Sequence, residues 1–343
     1  MALIGSVETL KDLAIGIVVT SVLFAITLQS PVLGFFCTVV IPLPTIFCRA
    51  KHGRAIGMVV PAIALLALAP MLGGISIDLL YFFELVFCGF VLYELFVLRL
   101  SVEKTVALTS AVTLAVGVFI VLVYSSTTAA GLDQLVSGYV RRNLEASLRL
   151  YESMGVPTDT IRPIEDALDG IQYVLVRIVP ALSVSAALFL SWTSLLLSRP
   201  LLRGYRLYYP DFGRLNLWKA PEPLVWSVIG CGLMLIIPER IVKLFGINGL
   251  LILMTIYFFQ GIAIISFYFE KKRFPRLLRI VLYSLIALQQ VVLLVVVGLG
   301  FFDMWLNFRK LGVEKKIDAR LSRARCVPNA ASRQTARYSL LEV

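Results

Sequence analysis

The chain has 343 residues, of which 59% are hydrophobic and only 15% charged, and its mean hydropathy is +0.89. A soluble domain carries about a quarter charged residues, so these proportions exclude a water-soluble globular protein and indicate a polytopic membrane protein. The net charge of +11 sits in short segments between apolar runs and in the last 35 residues, a pattern that suits anionic lipid headgroups rather than nucleic acid.

Hydrocarbon offers the backbone no hydrogen bonds, so a spanning chain must be helical or a closed barrel, and the runs here are too long for barrel strands of about ten alternating residues. The expected fold class is all-α: a polytopic transmembrane bundle of eight to nine spans.

The start, Met1 to Asp12, lacks a basic region and a small-x-small cleavage site, so the first apolar run, Leu13–Leu28, is span 1 rather than a signal peptide. Span 2, Val32–Cys48, contains Ile41-Pro42-Leu43-Pro44. Two prolines remove ladder hydrogen bonds and kink or break a span, so this one should face the bundle interior. A basic loop, Arg49–Arg54, holds the single histidine, His52, which among cations reads as solvated rather than as a metal ligand. Span 3, Ala55–Leu72, ends at Gly73-Gly74, and span 4, Ile75–Leu98, carries Glu84 and Glu94. Span 5, Thr105–Tyr124, repeats Ala107, Ala111 and Ala115 every four residues, a small face expected to pack within the bundle.

Residues 126–172 form an extramembrane segment. Leu132, Val136, Tyr139, Leu144, Leu148 and Tyr151 recur at helical spacing before Gly155-Val156-Pro157 breaks the pattern. An amphipathic helical hairpin between spans 5 and 6 follows, on the outer mouth of the bundle. Span 6 is Tyr173–Leu197. The loop after it mixes Arg199, Arg203, Arg206, Arg214 and Lys219 with Tyr205, Tyr208, Tyr209 and Trp218, a headgroup belt. Span 7, Leu224–Ile237, is short and bounded by Pro223 and Pro238. Spans 8 and 9, Ile247–Phe269 and Leu277–Phe302, flank five cations within nine residues, Lys271, Lys272, Arg273, Arg276 and Arg279, the mark of a cytoplasmic loop.

With the basic loops inside, nine spans place the N-terminus in the cytoplasm and the tail outside. From Arg309 that tail nevertheless carries nine Lys/Arg against three acids. A re-entrant span 7 returns the tail to the cytoplasm but exports the Lys271–Arg279 loop. Residues 1–310 read as a single transmembrane domain and 311–343 as a basic, disordered tail.

Glu84 lies about 4–5 Å from the centre of span 4 by helix rise. A charged carboxylate at that depth costs several kcal/mol unless paired or protonated, and Arg177 in span 6 is the nearest partner in depth. Gln260 in span 8 and Gln289-Gln290 in span 9 fall within about 4 Å of the same plane. Together these five side chains either line a ligand cavity or form interhelix hydrogen bonds. The sequence contains no GxxxxGK[ST], HExxH or GxSxG, and Cys37, Cys48, Cys88, Cys231 and Cys326 are scattered singly. Catalysis, a cofactor and a metal site are therefore not expected, and any ATP-driven activity needs a partner protein.

Three stretches carry a family resemblance. They are Pro42 and Pro44 with His52-Gly53; Tyr257-Phe258-Phe259-Gln260-Gly261; and Gly298 to Lys310, with Asp303, Trp305 and Arg309 inside it. In this order they resemble the YybS-like family of bacterial membrane proteins, over most of Leu13 to Lys310. That family is distantly similar to the substrate-binding S components of energy-coupling-factor transporters. The resemblance implies an inner-membrane subunit that binds a small molecule from outside and works with separate ATPase and coupling subunits. S components usually have six spans, so about three spans and the outer hairpin are additions here. The competing expectation is an envelope scaffold or assembly protein that recruits partners through its basic loops.

Overall fold

A computed structural model describes residues 7–74, 76–128 and 131–309. The basic tail expected over 311–343 lies outside the described residues, as does Cys326. Where a single transmembrane domain is expected, the chain divides into two compact units, Met1–Gly213 with Pro223–Ile256, and Arg214–Glu222 with Tyr257–Val343.

The first unit begins with α1, Val7–Gln29. Ser30 then caps α2, Pro31–Val40, its hydroxyl accepting from the Leu33 N–H. At Ile41 the backbone stays helical (φ −50°, ψ −38°) and runs into α3, Pro42–His52. Pro42 and Pro44 fall in the first turn of α3, where N–H groups need no intrahelical acceptor, so the expected break is mild. Gly53 turns the chain at φ 86°, a conformation costly for a residue with a Cβ, into α4, Arg54–Leu68. Ser76 caps α5, Ile77–Val97, which forms the middle of the core: Phe82, Leu85, Val86 and Cys88 pack with Phe24, Ile41, Ala64 and Leu190.

Next comes α6, Val102–Thr128. Thr105, Val106, Thr109, Ser110 and Thr113 on it are buried, whereas Ala107, Ala111 and Ala115 are exposed. The alanine face expected to pack inside therefore points outward, because the small hydroxyl residues alongside it take the buried stripe. The expected extramembrane hairpin consists of α7, Leu132–Ser153, and α8, Thr158–Asp166. The 37-residue α9, Leu168–Gly204, follows, then α10, Leu224–Ile236, and α11, Arg240–Lys271, whose first half belongs to this unit and whose second half belongs to the other.

The ends of α5 mark two poles of the first unit. At its C-terminal pole Glu94 pairs with Arg49 (2.8 Å) and Arg54 (2.7 Å), and Asp12 of α1 pairs with Lys51 (2.6 Å) and His52 (2.8 Å). His52 is thus hydrogen-bonded to Asp12 rather than a solvated ring. Acids in the first turns of α1 meet bases in the last turn of α3, each placed where the helix dipole favours it. At the N-terminal pole of α5 lies the hairpin, with α7 against α6 and α9.

The second unit joins residues 214–222 and the second half of α11 to α12, Arg276–Leu288, and α13, Gln290–Leu306. Arg279 donates to the carbonyls of Phe269 and Phe274 (3.0–3.1 Å), and the Phe269 and Tyr283 rings meet at 5.4 Å, so α12 starts against the C-terminal end of α11. After α13, Tyr268 donates to the carbonyl of Phe308 (2.8 Å). Both ends of the α12–α13 pair are therefore tied to the stretch 268–274.

Among the described residues, six helical stretches can cross a membrane by length and composition: α1, Leu33–His52, α5, α6, α9 and α11. The pair α12 and α13, bent by 101°, makes a seventh if taken as one span. These six or seven do not confirm the expected eight to nine spans, and the two shorter apolar helices α4 and α10 make the difference. Span 3 shrinks to the 15-residue α4 because Ala69–Leu72 tightens into a 3-10 turn, and span 7 is the 13-residue α10. At 1.5 Å per residue these reach about 22 and 20 Å, short of a roughly 30 Å hydrocarbon layer.

The crossing of α5 with α3 depends on Gly89, where an added Cβ would lie 2.5 Å from the Pro42 carbonyl oxygen. Gly89→Ala is expected to lower stability by about 1–3 kcal/mol despite its better helix propensity. Gly230→Ala in α10, which meets nothing within 4 Å, is expected to be neutral or slightly stabilising. Thermal unfolding in detergent compares the two.

Candidate functional site

The first unit has a partly open pocket of about 760 Å³ between α2, α5, α6, α9 and the middle of α11. Phe35, Val39, Leu182 and Phe189 make its apolar walls; Glu84, Tyr81, Thr38 and Ser183 interrupt them. Tyr81 donates to the Thr38 hydroxyl (3.2 Å), which in turn donates to the Gly34 carbonyl (2.9 Å), so these two groups satisfy each other. The Glu84 carboxyl group lies over Gly117, where a Cβ would come within 2.9 Å of Oε1. Among the described residues no cation and no hydrogen-bond donor pairs with that carboxylate.

Arg177, its expected partner, does not line this cavity. Its guanidinium stacks 3.3 Å from the centre of the Tyr173 ring one turn back and donates to the Tyr173 carbonyl (3.0 Å). The backbone of Arg177 has a different role. Pro180 disturbs the α9 ladder, and Asn248 of α11 repairs it: Nδ2 donates to the Arg177 carbonyl (3.2 Å) while Oδ1 accepts from the Ala181 N–H (3.3 Å).

Two more cavities follow, the second sharing a wall residue with the first and the third sharing four with the second. One of about 370 Å³ shares Leu182 with the first and lies beneath Tyr139, Val140 and Leu144 of α7. The other, about 360 Å³, shares Ile77, Tyr124, Tyr139 and Asn143 with the second and has polar walls at Asp78 and Arg142. The hairpin thus covers a series of spaces running from charged residues at one pole to Glu84.

Gln260 belongs to the second unit. Its Oε1 accepts from the Ala220 N–H (3.1 Å) and its Nε2 donates to Asp303 Oδ2 (3.3 Å). Arg309 Nη2 pairs with the same oxygen at 2.8 Å, both side chains having no exposed surface, and Nη1 donates to the carbonyls of Asn216 and Trp218 (2.9 Å each). Arg309 can fold back because Asn307 takes a left-handed conformation (φ 44°), held by Lys219 at 2.9 Å. Gly261 and Gly300 permit the approach, since added Cβ atoms would stand 2.1 Å from the Val296 carbonyl and 2.0 Å from the Tyr257 carbonyl. The motif around Gln260 and the closing motif thus form one buried clasp on the segment 214–220.

Gln289 and Gln290 are exposed at the break between α12 and α13, and Gln289 makes no side-chain cap. Of the five residues expected at one depth, Glu84 and Gln260 occupy different units, Arg177 serves its own helix, and the Gln pair marks a bend. Residues 216–220 and the buried role of Arg309 are what sequence reasoning missed. The available signal was Asp303, an acid at the end of an apolar run with a cation six residues on.

Residues 18–304 match the family described as Predicted membrane protein (DUF2232). The chain belongs to this family. This DUF2232 protein is also similar to the Bacillus subtilis (strain 168) protein named Uncharacterized protein YybS, at 23% identity over 308 residues covering 88% of this chain and 97% of that one. No solved structure matches it. The likeness to YybS agrees with the resemblance carried by the motifs. The family match takes in Pro42 through Asp303 and stops five residues before Arg309.

In this DUF2232 chain, Arg309→Met leaves a buried carboxylate and two carbonyls without their donor, and is expected to cost about 3–5 kcal/mol. Adding Asp303→Leu removes the orphaned charge and is expected to restore much of that loss. Thermal unfolding of the two variants measures the difference.

Proposed function

We propose that this multi-pass membrane protein is the small-molecule-binding subunit of a transporter in a bacterial inner membrane, with a role like that of an energy-coupling-factor S component. The observation that carries this reading is the large, mostly apolar cavity holding one carboxylate without a partner. A charge within a span that serves only structure is ordinarily matched by the protein, whereas an unmatched one beside a ligand-sized space is a functional-site candidate. The hairpin α7–α8 is the cover, and the polar space at Asp78 and Arg142 is the entrance. Separate ATPase and coupling subunits supply energy, since no nucleotide motif occurs in the chain. The outward alanine face of α6 offers such a subunit a close helix contact.

In this reading the ion-pair pole of α5 is cytoplasmic, together with the N-terminus, and the hairpin is external. The pair α12–α13 is re-entrant. Its helices of 13 and 17 residues reach about 20 and 25 Å, and both ends return to the stretch 268–274. Arg309 therefore lies on the same side as Lys271–Arg279, which reconciles the basic tail with the basic loop without exporting either.

Purified in native lipid and analysed by mass spectrometry, the protein is expected to carry a stoichiometric small molecule. Glu84→Ala is expected to lose it, while Glu94→Ala, at the opposite end of α5, retains it. A co-purifying protein with no small molecule favours the scaffold reading. For topology, reporters inserted at Lys272 and joined after Val343 are both expected in the cytoplasm; opposite sides would make α12–α13 a crossing span.

A further inference from the structure

We infer that the ligand of the Glu84 cavity is a monocation, one protonated or quaternary amine carried on an apolar body. This rests on the cavity being a binding site, and specifies the chemistry that the site selects. The walls hold one acid and no base. An anion would add a like charge at close range, and a neutral molecule would offer the carboxylate a hydrogen bond at most and leave its charge uncompensated. A single positive charge completes the site. The remaining wall residues agree with an ammonium head: three of them, Tyr81, Phe35 and Phe189, are aromatic, and Ser183 has a hydroxyl acceptor.

The rest of the space requires an apolar body. A bare metal ion needs several oxygen ligands at short range, and no group of three or more His, Cys, Asp or Glu exists among the described residues. A volume of about 760 Å³ also far exceeds an ion, and falls in the range of small-molecule pockets, about 300–1,000 Å³. The carboxylate has room to turn toward a head group because Gly117 beneath it has no side chain. Both a free amine and the head of an ethanolamine lipid have this chemistry.

The test uses the full-length protein in phosphatidylglycerol nanodiscs with three probes of matched shape: 4-phenylbutylammonium, 4-phenylbutanol and 4-phenylbutyrate. Calorimetry is expected to show the ammonium binding tightest. Glu84→Gln should weaken it about tenfold or more, the loss of a charge-assisted contact, and leave the alcohol unchanged. Ala186→Trp, which narrows the cavity at its wall, is expected to weaken binding of every probe. Competition by added phosphatidylethanolamine would assign the amine to a lipid head, and its failure to compete to a free amine. If the alcohol or the butyrate binds as tightly as the ammonium, or if Glu84→Gln leaves ammonium binding unchanged, the cationic class is wrong while the cavity remains a site. If Ala186→Trp changes nothing, or no probe binds, the binding reading itself fails.

Discussion

Hydrocarbon cannot accept or donate a hydrogen bond, and the polar atoms of this protein are arranged around that fact. Thr20, Thr27, Thr109, Thr193 and Thr255 each donate to the carbonyl four residues back on their own helix. Asn248 does more, bridging two backbone groups of another helix at Pro180. Gln260, Asp303 and Arg309 pool their groups with the carbonyls of an inserted loop. Among the described residues several buried groups, including the hydroxyls of Thr45, Thr105, Thr113, Ser185 and Ser194, find no partner; Glu84 differs from them in being a carboxyl group with no cation beside it, and for that reason draws the functional argument to itself.

Much of the fold is legible in the sequence because long apolar runs and amphipathic spacing are local signals. The span over α5, the hairpin over α7 and α8, and the long helices α9 and α11 all follow from them. The shortfalls occur where a local signal underdetermines length. Ala69–Leu72 is apolar enough to extend span 3, yet Pro70 and the glycines after it tighten the chain into a 3-10 turn. Gln289 sits in an apolar run where nothing in the pattern announces a 101° bend. His52 looked solvated because its partner, Asp12, is forty residues earlier.

The candidate site was legible in part for a similar reason. Helix rise ranks residues by depth along each span but is blind to rotation about the axis and to which spans are neighbours. Glu84, Gln260, Gln289 and Gln290 share a calculated plane, and the structure gives them separate environments. The motif residues Gln260, Gly261, Gly300 and Asp303 are brought together, because two glycines allow the backbones of α11 and α13 almost to touch. Segment 214–220 reads in the sequence as part of a headgroup belt, and its part in the clasp is hidden there because Gln260 and Arg309 meet its backbone carbonyls and one N–H, which any sequence provides.

The clasp also has an order in time. Chains emerge from the ribosome N-terminus first, so the carbonyls of Asn216 and Trp218, Gln260 and Asp303 are all made before the guanidinium that joins them. Until residue 309 is synthesised, Asp303 has no cation to answer it. Closure of the second unit therefore waits on the last of these groups, and a chain halted before residue 309 would lack the cation that answers Asp303.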